Sequence, residues 1–249
     1  MLRQTPLAIG ETYHVYNRAA HKIPIFLEER DYERILALLY LGNAGRAIDV
    51  RDVLKGRTDE GRSFVFSQEV DRSMVDVLGY SLLPNHFHLI LRQKSEEGIT
   101  RYMRKVCTGY SMYFNLKYGH SGTLFQGRFK SSHLDTDPYF KWIFPYVHLN
   151  QVALTDPKWQ EKGISDLARA TEALRNYRYS SFYDYYVGER PERAILAYEE
   201  ADGLLDKASD LEGLLADYVR GKVLYETFDT DTTDTTDSKD EGRSFVSAS

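Results

Sequence analysis

The sequence predicts a fold that mixes β-strands with α-helices, and three observations lead there. Residues 75–93 read as two strands separated by the turn signal Pro84-Asn85, which makes a hairpin. Residues 11–18 alternate and are rich in β-formers, which adds a further strand. Between and after these segments, apolar residues recur at helical spacing over 28–41, over 100–118 and again beyond Pro138.

In chain order, the strand at 11–18 ends on the polar pair Asn17 and Arg18. The helix over 28–41 carries Tyr32, Ile35, Leu36, Leu38, Leu39 and Leu41, and Gly42-Asn43 stops it. Residues 43–74 are mixed and charged, with a short strand expected at 63–67. After the hairpin, Thr100 is expected to cap a helix running to about Tyr118. Residues 123–132 then interleave aromatics with positive charge, which suits single strands or hairpin loops whose bases can stack. Asp135-Thr136-Asp137-Pro138 starts another helix, which Pro145 should kink or restart. Further helices are expected around 165–176 and, as two elements, over 191–227. The acidic, threonine-rich stretch from Asp229 is of low complexity and is expected to be disordered. Residues 59–65 and 240–246 repeat the same seven amino acids, for which there is no physical account.

Composition narrows the function. No run of about eighteen apolar residues occurs and the N-terminus lacks a signal-peptide core, so a cytoplasmic protein without a membrane partner is expected. The single cysteine, Cys107, rules out an intramolecular disulfide and a cysteine-rich zinc site, and helix packing is its expected role. The net charge of −5 conceals an asymmetry. From Glu189 onward sixteen acidic residues face seven basic ones, which leaves +4 on residues 1–188. Within 94–133, Lys94, Arg101, Arg104, Lys105, Lys117, Arg128 and Lys130 oppose only Glu96 and Glu97. A local basic surface binds phosphate whatever the total charge. Arg101, Arg104 and Lys105 are neighbours on one helix and are candidates for that role, against the alternative of a solvated charged face.

The strongest chemical signal is His86-Phe87-His88, at the start of the hairpin's second strand. Residues two apart on a strand share a face, so two imidazoles project together as half of a divalent-cation site. The competing reading is a satisfied core histidine beside a chance neighbour. Tyr146 and Asn150 are four apart and share a helix face. His148, two residues from each, should point elsewhere into a structural hydrogen bond; His14, His120 and His133 are further histidines that could approach the pair.

With these residues the chain resembles the HUH single-tyrosine transposases, in the branch of REP-associated tyrosine transposases. Blocks at 13–18, 80–90, 113–115, 122–131, 146–150 and 179–182 follow that family's order, over roughly residues 8–187. Gln151 departs from the pattern, since relatives commonly have proline after the asparagine. The resemblance implies an α+β, ferredoxin-like HUH nuclease fold: a central antiparallel sheet, the histidines on a middle strand and the tyrosine on a helix across it. On this reading residues 1–187 are the transposase domain, 188–228 a helical extension and 229–249 a disordered acidic tail. It further implies that His86, His88 and Asn150 hold a divalent metal, Mg or Mn, and that Tyr146 is the nucleophile, forming a 5'-phosphotyrosine and a free 3'-hydroxyl. Two imidazoles suit manganese at least as well as magnesium, which prefers oxygen. Packing is the alternative for Tyr146, and a helix C-cap for Asn150. The partner would be single-stranded or hairpin DNA, held by Arg18, Arg101, Arg104, Lys105, Arg128 and Lys130, and the protein a monomer or homodimer. A replication initiator or relaxase of the wider HUH class is disfavoured by the blocks after residue 100. The alternative from another class is a non-cleaving binder of structured single strands.

Overall fold

The computed structural model describes residues 6–46, 50, 53, 64–202 and 213–218. Its first element is the expected strand, β1 (Thr12–Arg18). Helix α1 (Glu29–Leu41) opens in a capping box, in which the Glu28 side chain accepts from the Asp31 amide and Asp31 Oδ2 accepts from Glu28 N at 3.0 Å. The hairpin forms as β2 (Val75–Leu83) and β3 (His86–Gln93), joined across Pro84-Asn85. Helix α2 (Gly98–Tyr118) begins two residues before the expected cap, so Thr100 lies inside it and Glu97 takes the N-cap position with φ 53°. Gly98 permits that start: a Cβ there would lie 2.4 Å from the Met74 carbonyl oxygen. A strand unforeseen in the sequence, β4 (Lys130–His133), follows.

These strands order as β2-β3-β1-β4, and each neighbouring pair is antiparallel. Together with the chain order β1-α1-β2-β3-α2-β4, this is the split βαβ arrangement of ferredoxin-like α+β folds. The hairpin's second strand therefore lies in the interior of the sheet. Alternation along the strands separates two faces. Tyr13, Val15, Phe87, Leu89 and Leu91 turn to the face covered by α1 and α2 and are at most 1% exposed. Those two helices approach closely, and a Cβ on Gly109 would lie 2.8 Å from Leu38 Cδ2.

Helix α3 (Asp137–Leu149) covers part of the other face. Thr136 caps it by accepting from Tyr139 N, and the helix continues through Pro145 as a single element, with Ile143, Phe144 and Val147 buried on either side of the proline. A 3-10 turn (Asn150–Leu154) follows directly, then the short helix α4 (Trp159–Lys162) and the expected helix α5 (Leu167–Asn176). Helix α6 (Phe182–Tyr186) comes next. Leu149, Val152, Trp159, Leu174, Phe182 and Leu214 form a second, smaller apolar cluster.

The backbone after α5 seals the outer edge of β2. Leu82 N donates to the Tyr179 carbonyl, while Ser181 N and Ala197 N donate to Tyr80 and Val77, each at 2.9 Å. Arg190 holds this segment in place: it is paired with Asp184 at 2.7 Å, donates to the Ser180 and Arg178 carbonyls, and donates to Tyr80 Oη at 3.0 Å. With both faces and both edges covered, all nine residues of β2 are buried.

Two expectations need correction. Residues 64–66 are helical, not extended; the Phe64 carbonyl accepts from Ser67 N and from the Ser67 and Gln68 side chains, closing a tight turn that a strand would leave open. The first of the two helices expected over 191–227 is a 3-10 turn (Pro191–Ile195) followed by the short α7 (Tyr198–Asp202). The second is represented by helical residues 213–218. The expected acidic tail, the second copy of the repeat and most of the first copy lie outside the described residues. No helix among the described residues is long and apolar enough to cross a membrane.

Candidate active site

On the sheet face beneath α3, the register builds rows of side chains across all four strands. His88 lies between Ser81 of β2 and Tyr16 of β1, and Tyr16 lies opposite Lys130 of β4. In the next row Arg18 faces His86, and on the other side His14 faces Ile90. The histidine pair thus projects from one face as its spacing predicts, with ring centroids 5.1 Å apart and planes nearly perpendicular at 84°. Both rings are buried, at 6% and 5% exposure.

Helix α3 brings Tyr146 to the same place. Its ring is 5.6 Å from the His88 ring and 6.1 Å from the His14 ring, edge-on to each. These groups come from one chain, without a second copy. Asn150 is the C-cap residue of α3 and is 3% exposed. Its neighbour Gln151 reaches the histidine row, where Gln151 Oε1 accepts from Ser81 Oγ at 3.0 Å. The glutamine after Asn150 therefore contributes a buried polar contact beside the site.

His148 points away from Tyr146 and Asn150, as its place on the helix requires. His148 Nε2 lies 2.7 Å from Ser181 Oγ. That hydroxyl also donates to the Tyr80 carbonyl at 3.1 Å and accepts from Tyr80 N at 2.8 Å. With its own proton committed to the carbonyl, Ser181 must accept from His148 Nε2–H. The helix that carries Tyr146 is thereby hydrogen-bonded, at the residue between Tyr146 and Asn150, to the segment that seals β2. Of the other histidines, only His14 joins the site. His133 pairs with Glu11 at 2.8 Å and stacks on Tyr13 on the opposite face, and His120 lies 2.9 Å from Asn115 Oδ1.

The site histidines are neutral at physiological pH. Burial pushes His14 down to about 3; burial, aided by Arg18, does the same for His86. His88 is driven well below its ordinary value by burial first, then by His86, His14 and Arg18. Neutral imidazoles are what a metal requires. Among the described residues no group of three or more His, Cys, Asp or Glu side chains is placed to hold an ion. A donor set completed by an asparagine amide falls outside that class. Two atoms that such a set would use are left without partners. His88 Nε2 and Asn150 Nδ2 are buried with no hydrogen-bond partner among the described residues. Leaving a polar group in that condition costs roughly 1–3 kcal/mol, which a ligand bound there would offset. A half-turn of the Asn150 amide puts its carbonyl oxygen in the same position.

The expected DNA contacts divide between the faces. Lys130 is exposed beside the site, with Nζ 5.9 Å from the Tyr16 ring centre, and Arg128 is exposed in the loop leading to it. Arg18 projects from the histidine face. Arg101 and Arg104 are exposed on α2, which packs on the opposite side of the sheet. Lys105 Nζ donates to the Ala44 and Arg46 carbonyls at 2.6 and 3.0 Å, fastening the loop after α1. The Cys107 thiol is pushed up to about 12 by burial, so it packs as a neutral group. Sequence reasoning did not single out Tyr16 or Ser81, and it noted Gln151 only as a departure from the family pattern. The only available signal was parity, because Tyr16 and Arg18 alternate with His14 along β1.

No family model matches the sequence, and no curated protein matches it. Among solved structures, that of a REP-associated tyrosine transposase bound to a REP hairpin aligns at 12% identity with a TM-score of 0.45, over 85% of this chain and 93% of that chain. A likeness that distant carries no weight for the function of this protein.

Proposed function

We propose that the chain is a divalent-metal-dependent endonuclease and strand transferase of the HUH single-tyrosine type, acting on single-stranded DNA that folds into hairpins. The observation that carries this reading is the placement of Tyr146 edge-on to His88, over the buried face from which His86 also projects. The ordered sequence blocks between residues 13 and 182 support it.

In this reading His86, His88 and Asn150 would hold Mg or Mn, which would supply charge neutralisation at the scissile phosphate. A phenol with a pKa near 10 is a weak nucleophile at neutral pH and needs its proton removed as it attacks. The Tyr146 oxygen forms a bond to phosphorus as the bond to the 3'-oxygen breaks. The phenolic proton passes to solvent, and the departing 3'-oxygen takes up a proton and becomes a hydroxyl. The phosphotyrosine keeps the energy of the broken ester, so a second 3'-hydroxyl can reverse the step without ATP. Helix α3, tied to β2 through His148, fixes the reach of Tyr146. Lys130 beside the site, Arg128 in the loop leading to it and Arg18 on its face would neutralise backbone phosphates.

The test is covalent capture. A pool of labelled hairpin oligonucleotides with randomised loops and flanks is incubated with the full chain and Mn, then denatured. The expected result is a protein–DNA adduct that Tyr146→Phe abolishes while leaving the fold intact by circular dichroism. Binding of the pool with no adduct in either metal overturns the enzyme reading in favour of a non-cleaving DNA binder.

A further inference from the structure

The contact least expected at this site is between two histidines. His14 Nε2 and His88 Nδ1 lie 2.9 Å apart, with ring planes within 9° of each other. The centroids are 5.1 Å apart, well over the nitrogen–nitrogen distance, so the rings meet end to end along a hydrogen bond. The sheet produces the contact. His14 is registered opposite Ile90, two residues from His88 on the same face, and this diagonal spacing is bridged by the length of two imidazoles. Both rings are buried, at 3% and 5% exposure, and one proton occupies the space between their nitrogens.

That proton has two positions with opposite consequences. If His14 Nε2 carries it, neutral His88 must carry its own proton on Nε2. This leaves a buried N–H with no acceptor among the described residues and no lone pair for an ion. If His88 Nδ1 carries it, His88 Nε2 is a bare lone pair and His14 keeps its remaining proton on Nδ1. Ligating histidines usually donate their second ring N–H to an acceptor that fixes tautomer and orientation.

We propose that His14 is a positioning residue of the metal site: it accepts a hydrogen bond from His88 Nδ1–H and so holds His88 in the tautomer whose Nε2 can bind the ion. This rests on the metal-dependent reading above. It assigns to β1 a part that the His-x-His pair and the Tyr146 helix do not supply. It also explains why an unpaired nitrogen is retained on an otherwise satisfied, buried ring.

Two substitutions separate the acceptor from its bulk. His14→Gln keeps a carbonyl oxygen near the position of Nε2, and His14→Leu fills the space without an acceptor. Mn affinity is measured on the full-length, DNA-free protein by electron paramagnetic resonance of the free ion. The tautomer of His88 is read from long-range 15N–1H correlations in the metal-free protein. His14→Leu should weaken Mn binding by about tenfold or more, and His14→Gln by only about two- to threefold. The unaltered chain should show the His88 proton on Nδ1. A folded His14→Leu protein that binds Mn as the unaltered chain does overturns the role of His14, as does a His88 proton found on Nε2. If the unaltered chain fails to bind Mn, the metal-dependent reading falls together with this one. Should His14→Leu not fold, the tautomer in the unaltered chain decides alone.

Discussion

Four histidines are buried and neutral, and that makes the fold sensitive to acid in a calculable way. Burial pushes His14, His86 and His148 down to about 3, with Arg18 aiding at His86, and drives His88 well below its ordinary value. In the unfolded chain each returns to a pKa of about 6.5. The unfolded state therefore binds more protons between these values. The stability contributed is complete above about pH 6.5 and is lost as the pH falls toward about 3. Lowering the pH from 7.5 to 5.5 moves an unfolded histidine from mostly neutral to mostly charged, a loss of roughly 1 kcal/mol per buried ring and of several kcal/mol for the four together. Domains of this kind are stable by roughly 5–15 kcal/mol, so the loss is a large share. Urea titrations at pH 7.5, 6.5 and 5.5 measure it. His148→Gln isolates one ring: the amide can still donate to Ser181 Oγ but does not titrate, so about a quarter of the pH-dependent loss should disappear. A folded His148→Gln protein that loses as much stability over this range as the unaltered chain would refute the reasoning.

Two other outcomes follow, the first from the proposed function and the second from the fold. Replacing Arg128 and Lys130 with glutamine should weaken single-strand DNA binding and reduce the salt slope by about one to two ions. Arg101→Gln with Arg104→Gln, on the opposite side of the sheet, should leave the slope nearly unchanged, and equal effects in binding titrations across salt would contradict the placement of the DNA. Arg190→Met strands the Asp184 carboxylate in a buried position and should cost about 3–5 kcal/mol, seen as a lower urea midpoint. An unchanged midpoint would remove the pair from the structural account.

The elements that sequence patterns could locate are those with long, clean periodicity: β1, the hairpin, α1, α2, α3 and α5. The misses have physical causes. β4 has only four residues, Lys-Ser-Ser-His, without a β-branched or apolar member, and pairing with β1 makes it a strand. The start of α2 is set by the close approach of Gly98 to Met74, a contact no local pattern encodes. The alternation at 63–67 suggested a strand, but the hydrogen bonds to the Phe64 carbonyl close a helical turn. At the site, the His86–His88 pairing and the turn of His148 away from Tyr146 could be read from spacing alone. The contact between His14 and His88 could not, because it depends on the register of strands 74 residues apart. Lys105 reads as a surface cation until the carbonyls of Ala44 and Arg46 are placed around it.

The outer edges of the sheet limit how this molecule can assemble with others. Donors and acceptors along β2 are consumed by the chain's own Tyr179, Ser181 and Ala197, so recruitment of another polypeptide by strand addition is blocked on that side. On the other side the edge among the described residues is the four residues of β4, about 13 Å of backbone, and it begins with an exposed lysine. Growth into fibrils or continuous cross-molecule sheets is accordingly disfavoured at both margins of the described sheet.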